Sequence, residues 1–316
     1  MSSSKVVNAK PIEIPANEPE VSLRVGRRTV RLTNLAKLFW PTLGLTKRNL
    51  LQYYASVAPV LVPHLRDRAM VMKRFPNGAA GKLFFMKRAP TPRPDWIETC
   101  SIEHESESII AFPMVQDAAS LLWLVNLGCI DLNQWYSRCD DVDRPDYLHF
   151  DLDPDDATPF ERVLEVAVIV RDVLHELEMP TYVKTSGSTG VHIYVPIVRG
   201  PIQKQVWTFA KALAQTIAER HPQLATAEYI IAKRPRGRVF VDYNQNAWGK
   251  TLASVYSVRP TANATVSTPV TWEELERGID IAQFTMNTVP ARIAQLGDLW
   301  AGLLAPKGRV KLENYL

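Results

Sequence analysis

The chain has 316 residues, of which 46% are hydrophobic and 22% are charged. This composition is typical of a globular protein and excludes disordered, collagen-like and disulfide-scaffold proteins. The length predicts two domains or one domain of two lobes.

The N-terminus and the cysteines bear on the compartment. The first twenty residues contain no apolar signal-peptide core, and the longest apolar runs, such as residues 121–125, are too short to span a bilayer. The three cysteines, Cys100, Cys129 and Cys139, form no CxxC pair and are odd in number, which disfavours a disulfide framework and a zinc ribbon. We therefore expect a reducing, cytoplasmic compartment and no membrane partner.

Positive charge is concentrated in the N-terminal quarter of the chain. Residues 21–94 include fifteen lysines and arginines and one acidic residue, Asp67, whereas the whole chain has a formal net charge of +4. Such a segment favours a polyanionic partner, and Phe75, Phe84 and Phe85 add rings on which nucleobases can stack. The pattern indicates nucleic acid, although basic residues that only solvate helices and strands would give the same bias.

Strand pairs mixed with helices favour an α+β fold. A flexible polar arm over residues 1–20 precedes a single domain of two lobes over residues 21–316. Capping residues and hydrophobic periodicity predict the elements within that domain. In chain order, they are a hairpin over 21–33, a helix over 47–58, strands over 69–74 and 82–87, a helix over 117–127, strands over 130–135 and 147–153, a helix from a Thr158 cap to 177, strands over 181–185 and 191–197, a helix over 203–221, a strand over 238–243, a capping box at Thr271 and Glu274, and a helix over 290–304.

Paired acids in YLHFDLDP, residues 147–154, are the sharpest feature of the sequence. Side chains alternate along a strand, so His149, Asp151 and Asp153 share one face while the intervening apolar side chains point into the core. Two carboxylates about 6.5 Å apart repel each other by about 2.5 kcal/mol at an effective dielectric constant of about 20, and a bound cation reverses that cost. A metal site and a plain acidic loop through Asp155 and Asp156 are both compatible with this pattern.

A third acid, Asp242, ends the apolar strand that begins at Val239. Three carboxylates from two strands are the usual protein contribution to a pair of divalent ions in phosphoryl transfer. The spacing excludes an EF-hand, because its sixth and twelfth loop positions would be Asp156 and Arg162.

The segment TSGSTG, residues 185–190, lies between two predicted strands and supplies hydroxyl and backbone N–H groups suited to an anion nest. An ordinary glycine-serine hairpin turn explains the same segment. His192 follows on the strand, so its imidazole can reach a group that the turn holds. P-loop and nucleophile-elbow motifs do not fit, because the glycine upstream of Gly249-Lys250-Thr251 is missing and Ser186 replaces the glycine of an elbow.

Three segments in this order and spacing, HFDLDP, KTSGSTGVHIYVP and VFVDYNQNAWGKTLASVYSVR, resemble the polymerase domain of bacterial ligase D, a member of the archaeo-eukaryotic primase superfamily. The resemblance extends over residues 21–304, through MKRFPNG, LFFMKR, CIDLNQWYSR and STPVTWEEL. It implies an N-terminal α/β lobe fused to an RRM-like lobe, with the active site between them. The implied activity is template-directed transfer of nucleotides, with ribonucleotides preferred, at short gaps and broken ends in non-homologous end joining.

The resemblance also implies the site residues, two Mn²⁺ or Mg²⁺ ions, and NTP or dNTP substrates. The metal ligands and catalytic residues would be Asp151, Asp153 and Asp242, of which Asp242 would help to activate the primer 3′-hydroxyl. The incoming nucleotide would contact Lys73, Ser186, Gly187, Ser188, His192, Gln245, Lys250 and Arg259. DNA would contact Lys37 and Lys47 through a downstream 5′-phosphate, Phe84 and Phe85 through the template, and Arg74, Arg234 and Arg236.

The implied partners are gapped or broken DNA, a separate DNA ligase and a Ku-like end-binding protein, beside a bacterial or archaeal nucleoid. Thr189 departs from the family pattern, since many relatives have lysine there, and Asn133 replaces a histidine, which leaves a polar contact that does not titrate. The sequence has no KxDG adenylation motif. We therefore expect a stand-alone polymerase subunit or an excised domain.

Three other functions stay open at this point. A de novo primase would share the fold and start chains without a primer. A catalytically silent end-binding module would recruit a ligase, although clustered acids facing DNA phosphates argue against it. A metal-dependent nuclease would use the same two ions, although the triphosphate-type turn and Arg259 favour nucleotide transfer.

Overall fold

The structure is a computed structural model that describes residues 11–103 and 108–316. Its helices are α1 (Lys47–Leu65), α2 (Ala118–Asn126), α3 (Phe160–Glu176), α4 (Gln203–Arg220), α5 (Trp272–Arg277), α6 (Val289–Leu296) and α7 (Ala301–Leu304). Its strands are β1 (Val21–Val25), β2 (Arg28–Leu32), β3 (Leu38–Trp40), β4 (Leu45–Thr46), β5 (Met70–Arg74), β6 (Phe84–Met86), β7 (Thr99–Glu103), β8 (Ile109–Pro113), β9 (Cys129–Gln134), β10 (Ser137–Arg138), β11 (Asp141–Pro145), β12 (Tyr147–Asp153), β13 (Tyr182–Thr185), β14 (Val191–Pro196), β15 (Ala225–Thr226), β16 (Val239–Asp242), β17 (Leu252–Ala253) and β18 (Pro269–Val270). Helices and sheets are both present, as the α+β prediction requires.

The N-terminal lobe is built on a four-stranded antiparallel sheet in the order β17-β9-β5-β6. Helices α1 and α2 pack against each other, and α2 packs on β9. Strand β17 comes from late in the chain, so this lobe is completed only after the second sheet has been laid down.

The second lobe is built on a six-stranded sheet in the order β15-β16-β12-β14-β13-β18. Its pairs are antiparallel except for β15 and β16. Helices α3 and α4 pack on β12 and on each other, because Leu148, Phe150 and Leu152 of β12 are fully buried apolar side chains. The opposite face of β12 is left for the polar residues at 149, 151 and 153.

Most predicted elements are confirmed, with three differences. Helix α1 does not end before Pro59 but continues through Pro63 to Leu65, because its apolar face stays buried and offsets the lost backbone hydrogen bonds. Helix α3 begins at Phe160 without the predicted Thr158 cap, since the Thr158 hydroxyl donates to Asp155 instead. The predicted helix over 290–304 is two helices, because Gly297 adopts a φ of 72° after Leu296.

Two further expectations differ from the structure. Residues 1–10 of the predicted arm lie outside the described residues, whereas Ile14 is buried and its N–H donates to Gln52 of α1 at 2.9 Å, so residues near it are docked. Cys100 of β7 and Cys139 are joined by a disulfide, with Cα atoms 5.7 Å apart. Counting cysteines misses this pair, because the β7–β8 hairpin and the β10–β11 turn meet only in the fold. The cysteine argument for a reducing compartment is therefore lost.

No helix within residues 11–103 and 108–316 has both the length and the apolar character needed to cross a membrane.

Candidate active site

A row of polar residues crosses the six-stranded sheet on four adjacent strands. Asp151 of β12 lies opposite Asp242 of β16 on one side and opposite His192 of β14 on the other. His192 in turn lies opposite Lys184 of β13. Cross-strand partners share one face of an antiparallel sheet, so the register brings two predicted acids, a predicted nucleotide contact and a lysine into one line.

The three acids form one cluster, in which an oxygen from each of Asp151, Asp153 and Asp242 lies within 4.8 Å of the others. Burial raises the pKa of Asp151 to about 6. Burial and repulsion from the other two carboxylates raise the pKa of Asp153 to about 7. Crowded carboxylate oxygens are the ligands that Mg²⁺ and Mn²⁺ prefer, and a cation between them removes the repulsion. The donor set therefore fits the predicted divalent ions.

Asp242 is held in place by the residues that follow β16. One of its carboxylate oxygens accepts a hydrogen bond from the backbone N–H of Asn244 at 2.7 Å, and the other accepts from Nε2 of Gln245 at 2.9 Å. Burial and the neighbouring Asp151 raise the pKa of Asp242. Gln245, predicted as a nucleotide contact, thus lies in the site and orients an acid of the cluster.

The SGSTG turn is organised around the hydroxyl of Ser186. The Ser186 oxygen accepts hydrogen bonds from the backbone N–H groups of Ser188 at 3.1 Å and Gly190 at 3.0 Å. These two N–H groups, which the sequence assigned to an anion, are therefore already used inside the turn. Gly187 has a φ of 72° and lies so close to Arg259 that a Cβ would be 2.7 Å from its Cγ, so this position requires glycine.

Two predicted nucleotide contacts, Lys73 and Arg259, are drawn together by Asp131 of β9. One oxygen of Asp131 lies 3.4 Å from Nζ of Lys73 and 3.3 Å from Nε of Arg259. Arg259 also donates to the carbonyl of Ser186 at 2.6 Å, which joins the SGSTG turn to the other lobe. Asn133 donates to Asp131 at 2.9 Å and so keeps a polar contact without a titrating group.

Asp131 is a site residue that our sequence analysis missed. It is 1% exposed and lies in the strand CIDLNQ, whose other side chains are also buried. An acid inside a fully buried strand needs a cationic partner, and this was the signal available in the sequence.

Lys184 is a second residue that the analysis missed, and it supports His192. Nζ of Lys184 lies 2.8 Å from Nδ1 of His192, and Nε2 of the same ring lies 3.1 Å from Oδ1 of Asp151 without the alignment of a hydrogen bond. Burial and the charge of Lys184 lower the pKa of His192, so its ring is neutral. His149, on the same face, is instead a buried aromatic ring stacked on Tyr194.

The predicted phosphate lysines lie side by side at the start of α1. The backbone N–H of Lys47 donates to the carbonyl of Lys37 at 2.8 Å. Nζ of Lys37 is bonded to Pro76 and Asn77, while Nζ of Lys47 donates to the carbonyl of Thr33. Burial, then the charges of Lys37 and Arg74, lower the pKa of Lys47 to about 8. An anion bound here would relieve that repulsion.

An exposed aromatic pair flanks this basic region. Phe84 and Phe85 of β6 are 53% and 59% exposed, although each is a large apolar side chain. The guanidinium of Arg74 and the ammonium of Lys73 each lie 5.9 Å from the centre of one of these rings. Exposed rings beside cations are suited to stack on nucleobases while the charges meet phosphates.

The remaining predicted contacts occupy the edges of the site. Arg234 stacks 3.6 Å from the ring centre of Phe240, which is the cross-strand partner of Asp153. Arg236 is exposed. Lys250 is exposed as well, and among the interactions of the described residues none joins its ammonium to the acids or to the SGSTG turn.

Comparisons with known proteins agree with this geometry. The family model described as LigD, primase-polymerase domain, matches residues 46–300. The chain is 34% identical over 276 residues to the multifunctional non-homologous end joining protein LigD of Mycolicibacterium smegmatis, which covers 87% of this chain and 36% of that protein. It is 29% identical over 269 residues to the bifunctional non-homologous end joining protein LigD of Bacillus subtilis, covering 85% of this chain and 43% of that protein. The chain thus spans less than half the length of these curated relatives.

The fold also matches a solved structure, the polymerase domain of Mycobacterium tuberculosis ligase D in complex with DNA. The TM-score is 0.81 with 32% sequence identity, over 87% of this chain and 98% of that chain. The likeness therefore extends over both lobes and over the sheet that carries the acids.

Proposed function

Because the chain belongs to the LigD primase-polymerase domain family, we propose that it adds nucleotides to DNA primers at short gaps and broken ends, in non-homologous end joining. The observation that carries this proposal is the cluster of Asp151, Asp153 and Asp242 beside the cations of Lys73 and Arg259. Acids that bind metal ions and cations that bind phosphate are the two parts that phosphoryl transfer needs.

The three carboxylates would hold two divalent ions, Mn²⁺ or Mg²⁺, at the junction of β12 and β16. Such ions stabilise the attacking and leaving oxygens of an in-line displacement. Asp242 would also lie beside the primer 3′-hydroxyl, and the bonds from Asn244 and Gln245 would keep its carboxylate in one orientation as the hydroxyl loses its proton. Orientation of this kind accounts for much of the catalysis in phosphoryl transfer.

The triphosphate of an NTP or dNTP would lie between the SGSTG turn and β5. Lys73 and Arg259 would contact its oxygens from one side, and His192 and Ser186 from the other. Because Asp131 holds the two cations at fixed positions before substrate arrives, little side-chain ordering remains to be done on binding. Thr189 adds no charge here, so the strength of triphosphate binding rests on Lys73 and Arg259.

DNA would enter across the basic N-terminal lobe. Lys37 and Lys47 would bind the 5′-phosphate of the downstream strand, and Phe84 and Phe85 would stack against the template. Arg74, Arg234 and Arg236 would contact backbone phosphates. A separate DNA ligase and a Ku-like end-binding protein would complete the joining reaction, because the described residues and the motifs of the chain supply only the polymerase step.

The test is primer extension on a gapped duplex that carries a 5′-phosphate, with ribonucleotides or deoxynucleotides, and with Mn²⁺, Mg²⁺ or a chelator. We expect metal-dependent addition that matches the template and favours ribonucleotides. Addition on an unprimed template would indicate a primase, and loss of primer nucleotides would indicate a nuclease. Tight DNA binding with no addition under either metal would overturn the proposal in favour of an end-binding module.

A further inference from the structure

Lys184 of β13 is a fully buried lysine that the catalytic and binding roles above leave unexplained. Its side chain is 0% exposed, and it lies at the end of the row that contains Asp242, Asp151 and His192. A buried ammonium costs several kcal/mol unless its donors are matched by acceptors. The partners of Lys184 therefore decide what it does.

The ammonium of Lys184 has three neighbours for its three N–H groups. The carbonyl of Ala253 lies 3.0 Å away and can only accept. The hydroxyl of Ser267 lies 2.5 Å away and gives its own proton to the carbonyl of Thr185, so its oxygen accepts from Lys184. The third neighbour is Nδ1 of His192 at 2.8 Å. All three donors are satisfied if Nδ1 is the unprotonated ring nitrogen.

This arrangement decides the tautomer of His192. A neutral imidazole that accepts at Nδ1 carries its proton on Nε2, and Nε2 is the nitrogen that faces Oδ1 of Asp151 at 3.1 Å. The opposite assignment, with Lys184 as a neutral amine and the proton on Nδ1, would turn a nitrogen lone pair toward a carboxylate. That contact is repulsive, so the geometry favours the Nε2–H form.

Lys184 also fixes where the ring lies relative to both sheets. The lysine belongs to β13 of the six-stranded sheet, whereas Ala253 belongs to β17 of the four-stranded sheet. One ammonium therefore joins the two lobes directly behind His192. A ring held in this way keeps its Nε2–H at a set distance from the acids and from the Ser186 turn.

We propose that Lys184 is a positioning residue that holds His192 in the Nε2–H tautomer, so that His192 donates a hydrogen bond to a phosphate oxygen of the incoming nucleotide. The inference rests on the proposed function, since it needs a nucleotide triphosphate as the acceptor. Its substrate class is any nucleoside triphosphate, because the contact involves phosphate and neither base nor sugar.

The first measurement uses the unaltered protein with ¹⁵N-labelled histidine and no nucleotide, with His192→Gln to assign the signal. We expect NMR to show Nε2 protonated and Nδ1 unprotonated. Protonation at Nδ1 would overturn the inference without any variant of Lys184. This readout does not depend on polymerase activity, so a failure of the proposed function, seen as absence of primer extension, is distinguished from a failure of this inference.

The second measurement uses Lys184→Met, which keeps the length of the side chain and removes the donor, and Lys184→Arg, which keeps a donor. We expect Lys184→Met to populate the Nδ1–H tautomer and to raise the KM for nucleotide about 10-fold or more, the effect of losing a charge-assisted hydrogen bond, with a smaller change in kcat. Lys184→Arg should recover part of the Nε2–H signal.

The control is Thr268→Val, a fully buried change near the same strands at a residue that bonds to Thr185 and Val266 and not to Lys184. We expect this variant to keep the tautomer and the KM of the parent. An unchanged tautomer in folded Lys184→Met, or an equal KM shift in Thr268→Val, would overturn the inference. If Lys184→Met does not fold, the tautomer in the unaltered protein still decides the question.

Discussion

Asp151 and Asp242 are direct cross-strand partners on β12 and β16, although 90 residues separate them in the sequence. Opposed like charges on neighbouring strands destabilise a sheet, and both side chains are buried. The strands therefore tolerate this pair at a cost in folding free energy that a bound divalent cation would recover.

We predict that Asp151→Asn and Asp242→Asn each reduce nucleotide addition by about 100-fold or more, the scale on which electrostatic stabilisation is lost in enzyme sites. Removing a negative charge should leave DNA affinity unchanged or slightly higher. Primer extension and fluorescence anisotropy with a labelled gapped duplex measure the two effects. The exposed neighbour Asp156 provides the control, because Asp156→Asn should keep parental activity. Near-parental turnover in both triad variants would remove the metal assignment.

Arg259 should control nucleotide affinity more than DNA affinity. We predict that Arg259→Gln raises the KM for nucleotide about 10-fold to 100-fold, because a charge-assisted contact to phosphate is lost and the Ser186 turn loses its anchor. Steady-state kinetics at saturating DNA measures this change. Arg277 is exposed on α5 and paired with Glu273, so Arg277→Gln is the matched control. Equal KM values for the two variants would contradict the assignment.

Lys47 predicts a pH dependence for recognition of the 5′-phosphate. Its pKa is lowered from 10.5 to about 8, so the ammonium is charged below pH 8 and is lost as the pH rises through that value, far earlier than for an exposed lysine. The ratio of kcat/KM between phosphorylated and unphosphorylated gaps, which reports groups of the free enzyme, should therefore fall above about pH 8.

Substitution by arginine separates this effect from general alkaline damage. Lys47→Arg stays charged throughout, and its preference for the phosphorylated gap should persist to higher pH. The same shift has a consequence for folding, since the native state binds this proton less tightly than the unfolded chain. The contribution of Lys47 to stability should thus increase between about pH 8 and pH 10.5. A parent that shows no phosphate preference at any pH would refute the pocket.

The exposed rings of β6 predict a loss of DNA affinity without loss of stability. We expect Phe84→Ser combined with Phe85→Ser to weaken binding of template DNA by about 10-fold or more, since stacking contributes about 1–3 kcal/mol per base. The melting temperature should stay within the range of surface substitutions, because neither ring is buried. Leu296→Ser, at another exposed apolar residue, is the control. A similar loss of affinity in that variant would count against a stacking role.

Local patterns in the sequence were sufficient to identify much of the site. Alternation along 147–153 places His149, Asp151 and Asp153 on one face, and the structure has that strand with the predicted bounds. The excess of lysine and arginine over residues 21–94 likewise follows from composition alone. The wrong predictions also concern local signals that packing overrode, as in α1, where burial carries the helix through Pro59 and Pro63.

Contacts between distant segments were decided only by the tertiary structure. The Lys73–Asp131–Arg259 bridge, the Cys100–Cys139 disulfide and the contact of Lys184 with His192 each join separate elements. The spacing of side chains along one strand is fixed by the covalent geometry of the backbone, so the sequence determines which residues can face the same way. The register between strands is fixed by the packing of the whole sheet against its helices, and that packing alone set Asp242, Asp151, His192 and Lys184 in one row.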